Sequence, residues 1–389
     1  MVVPACALLV AGLAFAVDHV WKPWPEPLPL ILVVWTGAVL VAACLAAARL
    51  RAGRWPSRVL NVVLALVVLG SALAATNAFF GFYPTSRAVL DVLANSRVDL
   101  DDAAPPASSV LEVPAGGKLA DVWVKPADLP EKGTVSEAEI PGGFTARPAW
   151  IYLPPAYAAT PRPRLPVVVL LAGQPGSPRD WYDAGRLTDN LDAFARGHDG
   201  LAPVVVVADQ LGTATANPLC LDSRLGRAET YLARDVPAWI ERRLTVDERR
   251  EAWTVAGLSQ GGTCALQLAV RAPEVYGNFI DLSGQREPSL GTRAETVKAA
   301  FDGDEAAFAR VNPLDVLARE RFPRTAGVIV AGSGDSTYRQ ADAEVFQACR
   351  DAGMDVRWRE LPGGHDWNVW RPGLYDSLPW LAERTGLSR

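Results

Sequence analysis

The chain has 389 residues, half of them hydrophobic, with 38 Lys plus Arg against 43 Asp plus Glu and a formal net charge of −5. That balance provides no basic face to neutralise phosphates, which excludes a nucleic-acid partner. With three histidines and five cysteines, and no His/Cys/Asp cluster at metal-ligand spacing, neither a metal nor another cofactor is expected.

The first eighty residues differ from the rest. Val2 to Val17 is apolar and free of charge, Leu28 to Ala48 is long enough to cross a bilayer, and Val59 to Phe80 is a third such run. Each is read as a transmembrane helix, making residues 1–81 a membrane region. The first run lacks the basic leader of a signal peptide and two further spans follow it, so cleavage is not expected. Arg49 to Arg58 carries four arginines, whereas Asp18 to Pro27 holds one lysine among acids. Positive loops stay in the cytoplasm, which predicts that everything after Gly81 is extracytoplasmic, with Trp21, Trp24 and Trp55 at the interfaces. Residues 82–116 are polar, Pro-containing and rich in small side chains; they read as a tether leading to a domain at 117–389.

In that domain "KGTVSEAEIPG" and "RPAWIYLPPAY" alternate and predict an antiparallel opening pair. "LPVVVLLAG", "APVVVVADQ", "WTVAGLS", "YGNFIDLSG" and "AGVIVAGSGD" are short continuous apolar runs, the mark of parallel strands buried on both faces. Helical patterns at Tyr231 to Arg243 and Ala341 to Ala352 lie between them. The fold class is therefore α/β with a doubly wound, mostly parallel sheet. Within "VAGLSQGGTCA", the residues Gly257-Leu258-Ser259-Gln260-Gly261 fit the G-x-S-x-G elbow, in which a strand turns sharply into a helix and presents a serine. The same sequence would also serve with Ser259 as an ordinary N-cap.

Residues 133–387 resemble the esterase branch of the α/β-hydrolase fold, which includes esterase D-like enzymes, enterochelin esterases and the mycolyltransferases of actinobacteria. The resemblance is carried by "LLAGQPGSPRDW", "AGLSQGGT", "GSGDS" and "GGHDWNVWRPGLYDSLPWL". The last is the most specific, because GGHxWxxW followed by LPWL recurs in that branch. An Ala- and Arg-rich, Lys-poor composition also resembles that of high-GC actinobacterial proteins. The resemblance implies a serine hydrolase that cleaves carboxylic esters through an acyl-enzyme. It leaves open an acyltransferase in which a sugar hydroxyl replaces water, and a non-catalytic surface binding protein.

A serine nucleophile needs a base within reach and a third group to orient that base. In this fold the order is Ser, acid, His. His19 falls at a membrane edge and His198 precedes the fourth strand; only His365 lies beyond Ser259, on the loop after the last strand. Asp335 follows the strand "VIVAGSG" and is the expected acid, whereas Asp342 and Glu344 begin the next helix, where acids suit the dipole. Asp366 adjoins the histidine but is poorly placed to reach its Nδ1. Oxyanion donors are expected from the amide of Gln260 and from that of Gln174 in the loop "LLAGQPGS". Many relatives carry His-Gly in that loop; Ala172 stands here instead, which raises the question of what braces it. Three cysteines in the domain allow one bridge, expected between Cys220 and Cys264, with Cys349 spare. The expected partners are the membrane and an ester substrate: a lipid, a cell-wall ester or an aminoacylated phospholipid.

Overall fold

The computed structural model describes residues 2–21, 27–85 and 97–388, in two compact units divided at Pro84 and Thr85. In the first unit, α1 (Val2–Phe15) continues through π-helical turns (Ala16–Trp21), followed by α2 (Leu30–Ala52) and α3 (Trp55–Phe80). All three are long and apolar enough to cross a membrane. Their large side chains, such as Leu8, Leu13, Leu60 and Leu66, face outward, and only small or slender residues such as Cys6, Ala46 and Ala72 are buried. Close approach through small residues suits helices whose surroundings are as apolar as their own side chains.

The bounds differ from the hydropathy runs. α1 does not stop at Val17, because its helical turns carry past Asp18, whose carboxylate accepts from the Leu28 amide at 2.9 Å. The arginine-rich segment is mostly helical as well. Only Gly53 and Arg54 break it, with Pro56 in the first turn of α3 and Arg58 Nε donating to the Gly53 carbonyl. Trp24 lies outside the described residues, as does the part of the expected tether at 86–96.

The second unit is built on an eight-stranded sheet. Its strands are β1 (Thr134–Ala138), β2 (Ala149–Leu153), β3 (Val167–Leu171), β4 (Val204–Val207), β5 (Trp253–Leu258), β6 (Asn278–Leu282), β7 (Ala326–Gly332) and β8 (Asp355–Leu361), in the order β1-β2-β4-β3-β5-β6-β7-β8. β1 and β2 pair antiparallel, β2 pairs antiparallel with β4, and the six strands from β4 to β8 are parallel. The all-Val and Leu strands β3 and β4 are buried along their whole length, as strands covered on both faces must be, while β8 alternates at the edge. α4 (Leu187–Arg196), α5 (Val236–Arg243), α6 (Gln260–Arg271), α7 (Ser336–Asp351), α8 (Trp367–Tyr375) and α9 (Leu378–Thr385) are the helices that matter below. Side chains alternate along β6. Asp281 lies against Gly262 of α6, whereas Leu282 lies against Gly373 of α8, so α6 and α8 cover opposite faces of the sheet.

The segment read as a tether packs onto this unit from Val98 onward. The Val98 amide donates to the Val135 carbonyl, Leu100 and Ala104 are buried, and Ser109 and Leu111 bond with Arg162. Ala103, Leu111 and Val113 also pack against the core, but these apolar positions are too scattered to give a periodic signal.

Candidate active site

The carboxyl ends of β3, β4, β5, β7 and β8 converge on one edge of the sheet, where sites of this architecture collect. At the end of β5 the backbone turns at Ser259 with φ 53° and ψ −120°, a conformation costly for a residue with a Cβ. The two flanking glycines make the turn possible. A Cβ on Gly257 would come within 2.3 Å of the Gly261 carbonyl oxygen, and one on Gly261 within 2.4 Å of the Ala172 carbonyl oxygen. The Ser259 amide is held by the Leu282 carbonyl at 2.8 Å, and its side chain is aimed out of the helix rather than back onto it: it makes no capping bond. The N-cap reading is thereby replaced by an elbow.

His365 Nε2 lies 2.9 Å from Ser259 Oγ, and His365 Nδ1 lies 3.0 Å from Asp335 Oδ2. A carboxylate can only accept, so Nδ1 carries the proton and the Nε2 lone pair faces the hydroxyl. Backbone crowding joins the two loops: a Cβ on Gly332 would meet the carbonyls of Gly364 and Gly363 at 2.5 and 2.8 Å. Asp335 Oδ1 caps α7 by accepting from the Tyr338 amide. That anchor leaves Oδ2 for the imidazole. Tyr338 stacks on the His365 ring at 3.8 Å between centroids, and Trp370 meets it edge-on at 4.9 Å. Ser259 is 9% exposed and the His365 side chain 21%, so the hydroxyl is approached from one side. Asp366 is occupied elsewhere, accepting from the Gly364 and Asn368 amides at the start of α8. His198 stacks on Phe194, and His19 sits in the N-terminal unit.

Gln260 opens α6, where a first-turn amide has no acceptor within the helix. Gly173 brings the loop after β3 against the elbow, with a Cβ there 3.5 Å from Ser259 Cβ, and Gln174 is the next residue of that loop. Cys220 and Cys264 are joined by a disulfide, with Cα atoms 5.6 Å apart, and Cys349 is a buried free thiol. Among the described residues no cluster of His, Cys, Asp and Glu could hold a metal ion.

Residues 145–381 match the family described as "Putative esterase". The chain belongs to that esterase family. An uncharacterized protein of Corynebacterium glutamicum is 36% identical over 98% of this chain and 88% of its own length, a likeness that includes the N-terminal helices. Among solved structures, a ferulic acid esterase aligns with a TM-score of 0.55 at 20% identity, covering 66% of this chain and 99% of its own. An S-formylglutathione hydrolase from Agrobacterium tumefaciens aligns with a TM-score of 0.55 at 21% identity, covering 66% and 97%. The esterase is thus a carboxylic ester hydrolase with the α/β-hydrolase fold.

Two features of the esterase's site were not foreseen. The first answers what braces the loop that has Ala172. Asp209 and Gln210 follow β4; Asp209 is fully buried and receives two bonds from the Arg147 guanidinium, at 2.7 and 3.0 Å, while Arg147 Nη1 donates to the Gly176 carbonyl at 3.0 Å. Gln210 Nε2 donates to the Ala172 carbonyl at 2.5 Å. Charge-assisted and amide bonds thus hold the loop, and nothing in the string "VADQ" marks them in advance.

The second concerns acids. Asp342 is not a solvated helix-start acid: α7 begins at Ser336, and Asp342 shares its buried face with Tyr338, Val345 and Cys349, beside the equally buried Asp281 of β6. Neither carboxyl has a hydrogen bond of ordinary geometry. Burial pushes Asp281 up to about 7, and burial together with the charges of Asp281 and Asp335 raises Asp342 well above the usual carboxylate range.

Proposed function

We propose that this esterase works through an acyl-enzyme on Ser259, with His365 as base and Asp335 as the group that orients it. The single observation that carries the reading is the chain of two bonds, 2.9 and 3.0 Å, from Ser259 Oγ through the imidazole to Asp335. His365 Nε2 takes the hydroxyl proton as Oγ bonds to the ester carbonyl carbon, and the carbonyl oxygen becomes an oxyanion facing the Gln174 and Gln260 amides. His365 returns the proton to the alkoxy oxygen as the C–O bond breaks and the alcohol departs. Water then repeats the sequence on the acyl-serine: its proton goes to Nε2, and the acid is released as Oγ recovers it. Asp335 stays ionised and stabilises the imidazolium.

The esterase domain is carried outside the cytoplasm by three transmembrane helices. Arginines cluster at the junction of α2 and α3, and that asymmetry supports the orientation. A site held next to the outer face of a membrane is suited to esters of the envelope: lipids, cell-wall esters or aminoacylated phospholipids.

The direct test is Ser259→Ala in the full-length protein, assayed with a p-nitrophenyl ester and a fluorophosphonate probe. Loss of labelling and a fall in turnover of roughly a millionfold are expected if the three residues act as a unit. Hydrolysis or labelling retained by the variant refutes the assignment.

A further inference from the structure

We infer that Gln210 is a positioning residue for ester cleavage: its side-chain amide clamps the Ala172 carbonyl to the Gln260 side chain and so sets the spacing of the two peptides that face the oxyanion. The inference rests on the proposed role of Ser259 and its two donor amides, and goes beyond them.

A glutamine amide has two N–H bonds, and both are spent across the site. One reaches the Ala172 carbonyl at 2.5 Å, two residues before Gln174; the other reaches Gln260 Oε1 at 3.0 Å, on the residue after the serine. Because carbonyl oxygens only accept, the nitrogen of Gln210 must face both. Gln260 extends the chain: its Nε2 lies 3.4 Å from Asn217 Oδ1 and 3.5 Å from Cys220 Sγ. Cys220 is bonded to Cys264, one turn further along α6. The loop after β3 and the first turn of α6 are therefore tied to each other through one fully buried side chain. Arg147 and Gln174 also pin the loop, to Asp209 and to the Thr215 carbonyl, but these bonds end on the segment after β4 and not on α6.

Packing alone does not account for this residue. Gln210 Oε1 is buried with no partner, a penalty that a methionine of the same length would avoid while filling the same space. What the glutamine adds is the distance between two peptides, and stabilisation of a developing charge falls steeply when donors shift by a few tenths of an ångström.

The experiment compares Gln210→Met and Gln210→Asn with the parent, all full-length, using p-nitrophenyl acetate and a trifluoromethyl ketone whose Ser259 adduct carries an oxyanion. The methionine keeps the length without the donors; the asparagine keeps the amide one methylene too short to span both acceptors. Expected are a roughly 10- to 100-fold loss in kcat, KM within about twofold, and ketone affinity weakened by about the same factor as kcat/KM. Thermal midpoints and the extent of fluorophosphonate labelling identify the folded fraction used for normalisation. Unchanged kcat and ketone affinity in either folded variant overturns the inference, as does a loss confined to KM. Ser259→Ala is measured alongside: an active alanine variant removes the nucleophile assignment, whereas an inactive one with unaffected Gln210 variants removes the Gln210 role alone.

Discussion

The buried carboxyls behind the elbow predict a stability that falls as pH rises. Asp281 titrates near 4 in the unfolded chain and at about 7 in the folded one, so between those values the native state holds a proton that the unfolded state has lost. A raised folded pKa contributes stability that is complete below pH 4 and is lost as pH climbs through 7. Each pH unit in that window costs about 1.4 kcal/mol per retained proton. The second unit spans about 300 residues, for which the unfolding entropy is about 0.6 kcal/mol/K, so the midpoint drops by about 2 °C per pH unit from Asp281 alone. Asp342, raised in the same direction, steepens the fall. Asp335 and the Cys349 thiol, which burial and Asp281 push up, face the pair without a compensating positive charge, and the Gly284 amide offsets the rise only in part. Asp281→Asn removes the titrating group in near-identical volume. Its absolute stability will shift because the new amide needs acceptors, so the informative quantity is the slope of midpoint against pH from 5 to 7, measured calorimetrically on the detergent-solubilised protein. The slope difference between parent and variant should be about 2 °C per pH unit, and Asp342→Asn should flatten it likewise. Parallel slopes in all three proteins would falsify the linkage.

Three further outcomes follow from the geometry. Gly261→Ala places a methyl 2.4 Å from the Ala172 carbonyl oxygen, a backbone clash that no rotamer relieves; activity should vanish and the midpoint fall by several degrees, while a stable, active variant on the same two assays would contradict the elbow packing. Cys220→Ser with Cys264→Ser opens a bridge between positions 44 residues apart, which on loop entropy is about 4 kcal/mol, or roughly 6 °C; non-reducing peptide mapping that pairs Cys349 instead would refute the connectivity. An alkaline phosphatase fused after the last residue should be active, because it folds only after export; an inactive but abundant fusion paired with a fluorescent cytoplasmic reporter would reverse the topology and remove the envelope substrates.

What the sequence made legible follows a physical division. Parallel strands advertise themselves because burial on both faces demands unbroken runs such as Val204–Val207, and the elbow does so because two glycines are needed where Gly257 and Gly261 nearly touch. His365 can be singled out from the sequence because, of three histidines, it alone follows Ser259 in the chain. Contacts made across the sheet by single polar side chains have no such periodicity. Arg147, Asp209 and Gln210 come from a loop before β2 and the turn after β4, and their partners are carbonyls that any sequence would supply. Asp342 is hard to read for a related reason: with α7 starting at Ser336 rather than Ala341 it lies past the first turn, on the core face with Val345 and Cys349, and a lone carboxylate on that face gives no apolar signal.

That displacement bears on the site itself. Asp335 caps α7 and orients His365 with its two oxygens, so the start of the helix and the aim of the imidazole are one structural fact. Two turns later the same helix puts Asp342 beside Asp281, on the strand next to the one that carries Ser259. Burial and the charges of Asp281 and Asp335 raise Asp342, while Asp335 itself meets the imidazole at 3.0 Å. One helix thus carries at its start the carboxylate that meets the imidazole and, two turns on, a buried carboxyl packed on the sheet, so a substitution at either position acts on the seating of the whole of α7.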